Sequence, residues 1–313
     1  MDWSRYLAGA GLAAICTACA NAQAEPDWYP SAHGADDRLG AVNYLSAEKT
    51  AEAAKLITTG KTYSLGMITG RDTPAYGPRE YDVTVLQLSD GSGTPLGENR
   101  AVGNDDIVDM FVGIGSQIDG LGHMGIDHRY YNGVHVSEFV ATDGLKQFGT
   151  QAIPAIATRG ILLDMTKQFG NPVPDGQPFN IAEIDAAAAA AGVTIEAGDV
   201  VIFHTGKMQA VEGSAELSPG EAGLGVEGAQ YLADLGVVAV GADTWAVEVI
   251  PFESEARPFD VHLTLLAKNG VYILENMVTD ELANDGVTEF FFSLGVPRLE
   301  GTVQAIINPV AIR

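Results

Sequence analysis

A glycine-rich stretch of the sequence places a carboxylate and an imidazole close together. Residues 113–123 read Gly-Ile-Gly-Ser-Gln-Ile-Asp-Gly-Leu-Gly-His and supply Gln117, Asp119 and His123. Alternate side chains leave one face of an extended strand, and residues four apart are neighbours on a helix, so Asp119 and His123 converge in either conformation. The glycines let the backbone pack tightly beneath a ligand. This pattern is compatible with a metal site, and equally with a glycine-rich loop that has a capping Asp and a hydrogen-bonded His.

A second stretch places an acid on an apolar strand. Alternation along the predicted strand 271–274 puts Glu275 on the same face as Val271 and Ile273. A carboxylate there costs free energy unless a cation, either a divalent metal or an Arg or Lys, neutralises it. His262 is predicted to begin a short helix that leads into this strand and can point the same way. The alternative is a Glu at the strand end that reaches solvent.

Two other predicted strands end in polar or aromatic side chains. Asp243 and Trp245 follow the apolar run 237–240, and His204 follows the run 199–203. Residues at the exit of a buried strand are the usual walls of a cleft. An ordinary turn with a capping Asp explains the first pair equally well, so we assign these residues no role.

The elements that must position these groups belong to a globular protein. The chain has 313 residues, of which 46% are hydrophobic, and 17 basic against 41 acidic residues give a net charge of −24. This charge repels phosphates and argues against nucleic-acid binding and against docking on an anionic membrane. The sequence contains neither a G-x-S-x-G elbow nor a phosphate-binding P-loop. The expected partner is a small-molecule substrate.

Residues 1–24 are predicted to be a secretory signal peptide. Arg5 precedes an apolar run at 7–14, and Ala22-Gln23-Ala24 forms an A-x-A cleavage pattern. The apolar run is too short to span a bilayer stably, and an uncleaved anchor is the alternative interpretation. The mature protein is therefore expected in the periplasm or outside the cell.

The mature chain, residues 25–313, is predicted to be a single domain. Both cysteines, Cys16 and Cys19, lie in the segment that is removed, so neither a disulfide nor a thiol ligand is expected. Helical and apolar strand-like segments alternate, which predicts a mixed α/β (α+β) architecture. The predicted helices span 47–57, 181–191 with a capping box at Asn180, and 227–235, and the predicted strands span 81–88, 160–164, 199–203, 237–240 and 271–274.

Together, these stretches resemble the cyclase family of metal-dependent hydrolases, which includes bacterial kynurenine formamidase, isatin hydrolase and trans-dienelactone hydrolase. The resemblance covers nearly all of the mature chain. It rests on segments 37–43, 117–123, 131–133, 158–164, 198–202, 205–206 and 241–245, on His262 and on segment 274–276. The fold implied is the family's swivelling β/β/α domain, which usually assembles as a homo-oligomer.

The family motif H-x-G-T-H-x-D-x-P-x-H is only partly present. Asp119 and His123 match it, whereas Gly113, Gln117 and Leu121 stand where the motif has its first His, its second His and its Pro. The departures remove two ligands of the first metal position in formamidase-like members. What remains resembles the branch with Gln before the Asp, to which trans-dienelactone hydrolase belongs.

By this resemblance, His123 and His262 hold one metal, and Gln117, Asp119 or Glu275 completes the ligand set. Zn²⁺, or alternatively Mn²⁺, suits such ligands and activates a water at neutral pH. The implied reaction opens a small lactone, an ester or a cyclic amide, with Glu275, or else Asp119, moving the proton. The alternatives are an arylformamidase, against which the missing histidines count, and a periplasmic protein that uses the metal only to bind a ligand.

Overall fold

The computed structural model describes residues 27–87, 94–208 and 219–313. The predicted signal peptide, residues 1–24, lies outside them. The helices are α1 (Ala47–Ala54), α2 (Thr166–Phe169), α3 (Ile181–Ala191), α4 (Val226–Asp234), α5 (Asp260–His262) and α6 (Asp280–Asn284), with a π-helix at Leu263–Lys268 and 3₁₀ turns at Gly40–Tyr44, Tyr131–Gly133, Val136–Glu138 and Thr150–Ala152. The strands are β1 (Thr62–Ser64), β2 (Tyr81–Gln87), β3 (Asn104–Met110), β4 (Gln117–Asp119), β5 (Val140–Ala141), β6 (Gly144–Leu145), β7 (Ile156–Asp164), β8 (Pro178–Phe179), β9 (Val200–His204), β10 (Gly223–Leu224), β11 (Ala239–Ala242), β12 (Tyr272–Glu275), β13 (Glu289–Leu294), β14 (Gln304–Ile306) and β15 (Val310–Ile312).

A mixed nine-stranded sheet organises the described residues. Its order is β1-β15-β13-β7-β9-β11-β12-β4-β14. Strands β7, β9, β11 and β12 are parallel, and the strands on both sides of them are antiparallel. Every residue of β9, β11 and β12 is buried, as continuous apolar runs in a sheet covered on both faces require. The predicted mixed α/β fold is therefore confirmed.

Helix α3 shows how local sequence sets the boundaries of an element. Asn180 and Glu183 form the predicted capping box, and Gly192 ends the helix in the left-handed conformation at φ +71°. Helix α1 ends at Ala54 rather than at residue 57 as predicted, because residues 55–57 bond to carbonyls three residues back and form a tighter turn.

Strands β2 and β3 form a hairpin that carries exposed apolar side chains. Val85 is 62% exposed and Ile107 is 57% exposed. The predicted strand 81–88 corresponds to β2, except that residue 88 lies outside the described part of the chain. Across the described residues, no helix has the length and apolar character needed to cross a membrane.

Strand β4 brings the predicted site residues to neighbouring strands. It lies between β12 and β14, so Gln117 is paired with Glu275, and Asp119 is paired with Gln304. Residues directly opposite each other on one face of a sheet have Cβ atoms about 5 Å apart. The register therefore gathers two carboxylates and two amides.

Candidate metal centre

Three buried side chains from separate elements converge above the end of β12. Nε2 of His262 lies 3.3 Å from Oε1 of Glu275 and 3.8 Å from Oδ2 of Asp119. One ligand atom from each residue lies within 4.8 Å of the others, and all three side chains are buried. An imidazole nitrogen and two carboxylate oxygens form a donor set that suits a divalent transition metal.

Two side-chain amides bind the outer oxygens of these carboxylates. Nε2 of Gln117 donates to Oε2 of Glu275 at 2.6 Å, and Nε2 of Gln304 donates to Oδ1 of Asp119 at 2.7 Å. Each carboxylate therefore turns one oxygen toward His262 and keeps the other in a hydrogen bond. The amide of Gln117 faces the carboxylates with its N–H₂ group, so it acts here as a hydrogen-bond donor.

A third carboxylate holds the other side of His262. Nδ1 of His262 donates to Oε1 of Glu248 at 3.1 Å, and the backbone N–H of Val261 donates to Oε2 at 3.0 Å. Glu248 is only 2% exposed. A carboxylate on Nδ1 fixes the proton there and leaves Nε2 free as a ligand atom. Helix α5 begins at Asp260, two residues before the predicted start at His262.

His123 lies at the open side of this cluster. Its Nε2 is 3.7 Å from Oδ2 of Asp119, and its ring centroid is 6.3 Å from that of His262. The backbone N–H of His123 bonds to the carbonyl of Gly120, so a turn after β4, rather than a strand or a helix, returns the imidazole to Asp119. The side chain of His123 is 22% exposed.

Burial and charge shift the acid–base properties of these groups. Burial raises the pKa of Glu275 to about 7, and the charge of Asp119 adds to this effect while His262 opposes it. Burial lowers the pKa of His262, but hydrogen bonds to Glu248 and Glu275 outweigh it and raise that pKa to about 10. Burial lowers the pKa of His123, and Asp119 opposes the shift. A carboxyl group with a pKa near neutrality can take up and release a proton.

One oxygen of the cluster indicates that a cation belongs there. Oδ2 of Asp119 is buried, and it has no hydrogen-bond partner among the residues that the structure describes. An unpartnered buried carboxylate oxygen is costly. It faces Nε2 of His123 and Nε2 of His262, both of which are metal-ligand atoms. The residues present therefore fit a divalent metal.

The residues predicted from sequence as ligands or catalytic groups lie together: Gln117, Asp119, His123, His262 and Glu275. The structure adds Glu248 and Gln304, which the sequence analysis did not single out as site residues. Glu248 ends the segment that contains Asp243 and Trp245, but its spacing gave no signal of contact with His262. The predicted wall residues are in two places: Trp245 lines the same cleft as Glu275, whereas Nδ1 of His204 and Oδ2 of Asp243 form a separate buried pair 3.4 Å apart.

A larger cavity lies on the far side of Glu248. Its volume is about 550 Å³, and Glu248, Phe252, Thr264 and Lys268 contribute to its walls. It is separated from the carboxylate cluster, because Glu248 contributes to its wall and bonds to the side of His262 opposite Asp119 and Glu275. A smaller cleft is lined by Glu275 and Trp245. We therefore assign the chemistry to that cleft and not to this cavity.

The chain is similar to known proteins over most of its length. Residues 63–249 match a family model named Cyclase and described as "Putative cyclase". A crystal structure described as a novel cyclase shares 28% sequence identity and superposes with a TM-score of 0.79, covering 90% of this chain and 95% of that one. No curated protein sequence matches the chain.

More distant solved structures share the fold. Isatin hydrolase A from Ralstonia solanacearum is 16% identical with a TM-score of 0.62, covering 86% of this chain and 98% of its own. A "predicted metal-dependent hydrolase from Bacillus stearothermophilus" is 20% identical with a TM-score of 0.54, covering 81% and 98%. The resemblance to the trans-dienelactone hydrolase branch gains no support from these matches.

Proposed function

The chain belongs to the Cyclase family, whose model matches residues 63–249, and we propose that it is a metal-dependent hydrolase that opens a small lactone, ester or cyclic amide. The observation that supports this most directly is the buried, unpartnered Oδ2 of Asp119 in the described structure, which faces the Nε2 atoms of His123 and His262. Similarity to structures described as isatin hydrolase and metal-dependent hydrolase favours the same activity.

Three residues would hold the metal, Asp119, His123 and His262, which leaves a fourth position for water; Glu275 lies against them and is the alternative ligand. When bound there, a divalent metal lowers the pKa of a water and polarises a carbonyl oxygen. Gln117 and Gln304 occupy the outer carboxylate oxygens, so each carboxylate offers one oxygen to a ligand set. This arrangement supports one metal per chain rather than two. Two imidazoles and a carboxylate oxygen favour Zn²⁺, with Mn²⁺ as the alternative.

Glu275 is the proposed proton carrier. Its pKa, raised to about 7 by burial and by the charge of Asp119, suits a group that takes a proton from the attacking water and returns it to the leaving group. Gln117 holds one oxygen of Glu275 by a 2.6 Å hydrogen bond, which fixes the direction of the other oxygen. Asp119 remains the second candidate for this role.

A substrate panel with controlled metal content tests the proposal. Lactones, formanilides and cyclic imides are offered to the protein as purified, after chelation, and after restoration of Zn²⁺ or Mn²⁺. We expect chelation to abolish turnover and metal to restore it. D119N should fail to recover, because it loses the unpartnered charged oxygen, while the surface variant D143N should behave like the wild type.

Other outcomes identify the alternatives. Turnover that neither chelation nor D119N reduces would contradict a metal-dependent hydrolase. Turnover confined to formanilides would indicate an arylformamidase. Metal-dependent binding of panel compounds without turnover would indicate a binding protein.

We also propose that the protein is exported, since the Arg5-led apolar segment and Ala22-Gln23-Ala24 have the order of a signal peptide. Mass spectrometry of the protein from its native host should find a mature N-terminus near Glu25. An intact Met1 on a soluble cytoplasmic product would contradict export.

The homo-oligomer implied by the family resemblance is a further proposal. The β2–β3 hairpin supports it, because exposed Val85 and Ile107 lie on a two-stranded unit, and such hairpins are marginally stable alone. Light scattering after size exclusion should give a multiple of the chain mass. V85E combined with I107E should reduce that mass, and a wild-type monomer would contradict the proposal.

A further inference from the structure

A narrow cleft lies beside the proposed metal centre. Tyr76, Arg79, Trp245 and Glu275 line it, together with the glycine-rich segment 113–115. About 10 Å³ of the cleft can hold the centre of a water-sized sphere, which is room for about one water and far too little for a ring-bearing substrate. The rings of Tyr76 and Trp245 are stacked, with centroids 5.2 Å apart and planes 11° apart. A substrate can approach Glu275 through this cleft only if one of its walls moves.

Tyr76 is the wall that is free to move. Trp245 is fixed through its backbone, because its N–H and that of Ala246 donate to the fully buried carboxylate of Glu221 at 3.0 and 2.9 Å. Tyr76 instead lies on a loop and is 55% exposed. When Tyr76 swings away, the face of the indole becomes a platform for a planar ring.

Arg79 supplies a positive charge at the same cleft. Nη1 of Arg79 donates to the carbonyl of Gly113 at 2.6 Å. Arg79 forms no ion pair with any acidic residue in 27–87, 94–208 or 219–313, although the chain holds 41 acids against 17 bases. The charge acts on the site, since it opposes the rise in the pKa of Glu275 and adds to the fall in the pKa of His123 that burial causes. A planar guanidinium with free N–H groups matches a carboxylate.

We propose that this cleft selects a planar substrate that carries a carboxylate, with the substrate ring on Trp245 and its carboxylate on Arg79. This inference rests on the proposed hydrolase function and narrows its substrate class to anionic ring-bearing lactones, esters or amides. A net charge of −24 repels such a substrate. An unpaired arginine at the cleft offsets this repulsion at the place where the substrate's carboxylate would lie.

Matched substrate pairs test the selection. Formanilide is compared with 2-formamidobenzoate, and phthalide with a carboxyphthalide, on the metal-loaded enzyme. The wild type should prefer the carboxylate of each pair in kcat/KM. R79Q should lower kcat/KM for the carboxylates by roughly 10–100-fold more than for their neutral partners, the usual loss for a hydrogen bond to a charged group. R79K should keep part of the preference, because it retains the charge without the planar fork.

The control is R71Q, which removes an arginine on the same loop that is already paired with Asp82. It should leave the preference unchanged. Arg79 also bonds to Gly113, so a merely structural role is the competing explanation. In that case R79Q would slow the neutral and charged substrates equally and would weaken metal binding, and this result would overturn the inference.

A binding measurement separates this inference from the proposed function. Benzoate and benzamide are titrated into the protein while tryptophan fluorescence is followed, with W245F identifying the signal of the cleft. Benzoate should bind more tightly than benzamide, and R79Q should remove the difference. Arg79-dependent benzoate binding without turnover of any panel compound would refute hydrolysis and support the ligand class. Turnover with equal benzoate affinity in wild type and R79Q would support hydrolysis and overturn the ligand class.

Discussion

Replacing Glu248 by glutamine tests how firmly the metal centre depends on the far side of His262. Both oxygens of Glu248 accept hydrogen bonds, one from Nδ1 of His262 at 3.1 Å and one from the N–H of Val261 at 3.0 Å. Glutamine has a single acceptor oxygen, so one of these two N–H groups must face the N–H₂ group of the new side chain. Glu248 is 2% exposed, and water cannot readily replace the lost partner.

The expected loss follows from this geometry. Outer hydrogen bonds to a metal-binding histidine are typically worth 10–100-fold in metal affinity, which corresponds to about 1.4–2.7 kcal/mol. The loss should widen with rising pH. Glu248 helps to raise the pKa of metal-free His262 to about 10, so in the wild type a metal must displace that proton at neutral pH. E248Q also lowers the pKa of metal-free His262, so the proton competes less with the metal in the variant. This gain partly offsets the loss of metal affinity until the pH approaches 10.

The loss of metal affinity in E248Q and its dependence on pH are measured by competition with a chelator dye at pH 7 and pH 9. E227Q is the matched control, because Glu227 lines the same cavity as Glu248 but is exposed. We expect E227Q to match the wild type at both pH values. Unchanged metal affinity in E248Q at pH 9, in a variant that keeps the wild-type circular dichroism spectrum, would refute the argument that Glu248 positions His262.

Three further predictions address the other groups. If Glu275 is the base, E275Q should keep its metal while kcat falls by roughly 10²–10⁴-fold. If Glu275 is a ligand, E275Q should bind metal more weakly, and added metal should restore part of the rate. Metal content measured together with single-turnover rates distinguishes the two roles. H123A should lose metal affinity and keep its fold, as measured by plasma emission and circular dichroism, because His123 is partly exposed. Burial lowers the pKa of His204, but the hydrogen bond and charge of Asp243 outweigh it and the charges of Asp164 and Asp280 assist, so the folded pKa is raised. Denaturant titrations should therefore show stability that is fully present below about pH 6.5 and declines as the pH rises through the folded pKa, and H204N should lack this decline.

The sequence predicted the parts of the site that depend on local periodicity. Glu275 was placed inward because alternation along β12 leaves no other direction for it, and the structure buries it at 5% exposure. Apolar runs without alternation predicted strands β9 and β11 as buried on both faces, and they are. The capping box at Asn180 predicted the start of α3, because every group that forms it lies within four residues of sequence.

Contacts between distant segments were beyond such reasoning. Gln304 meets Asp119 across 185 residues of sequence, and only the register of β14 on β4 brings them together. Glu248 reaches His262 because the chain turns back between β11 and α5. Neither the register of β14 on β4 nor the long turn between β11 and α5 leaves a periodic pattern in the sequence. The orientation of the Gln117 amide was equally hidden, since the sequence shows an oxygen and a nitrogen and not which of them faces Glu275.

The side-chain amide of Gln304 lies beside Gly113, in the space where the family motif has its first histidine. A Cβ atom on Gly113 would collide with the side-chain amide of Gln304. A histidine at residue 113, where the motif has its first His, would therefore require the end of the Gln304 side chain to leave its place. That place is fixed by the 2.7 Å hydrogen bond to Asp119. The amide thus fills the space of a ligand and also occupies the outer oxygen of Asp119, and Gln117 does the same for Glu275. Two amides in these positions leave one oxygen from each carboxylate for a metal, so the departures from the motif reinforce one another and favour a single-metal site.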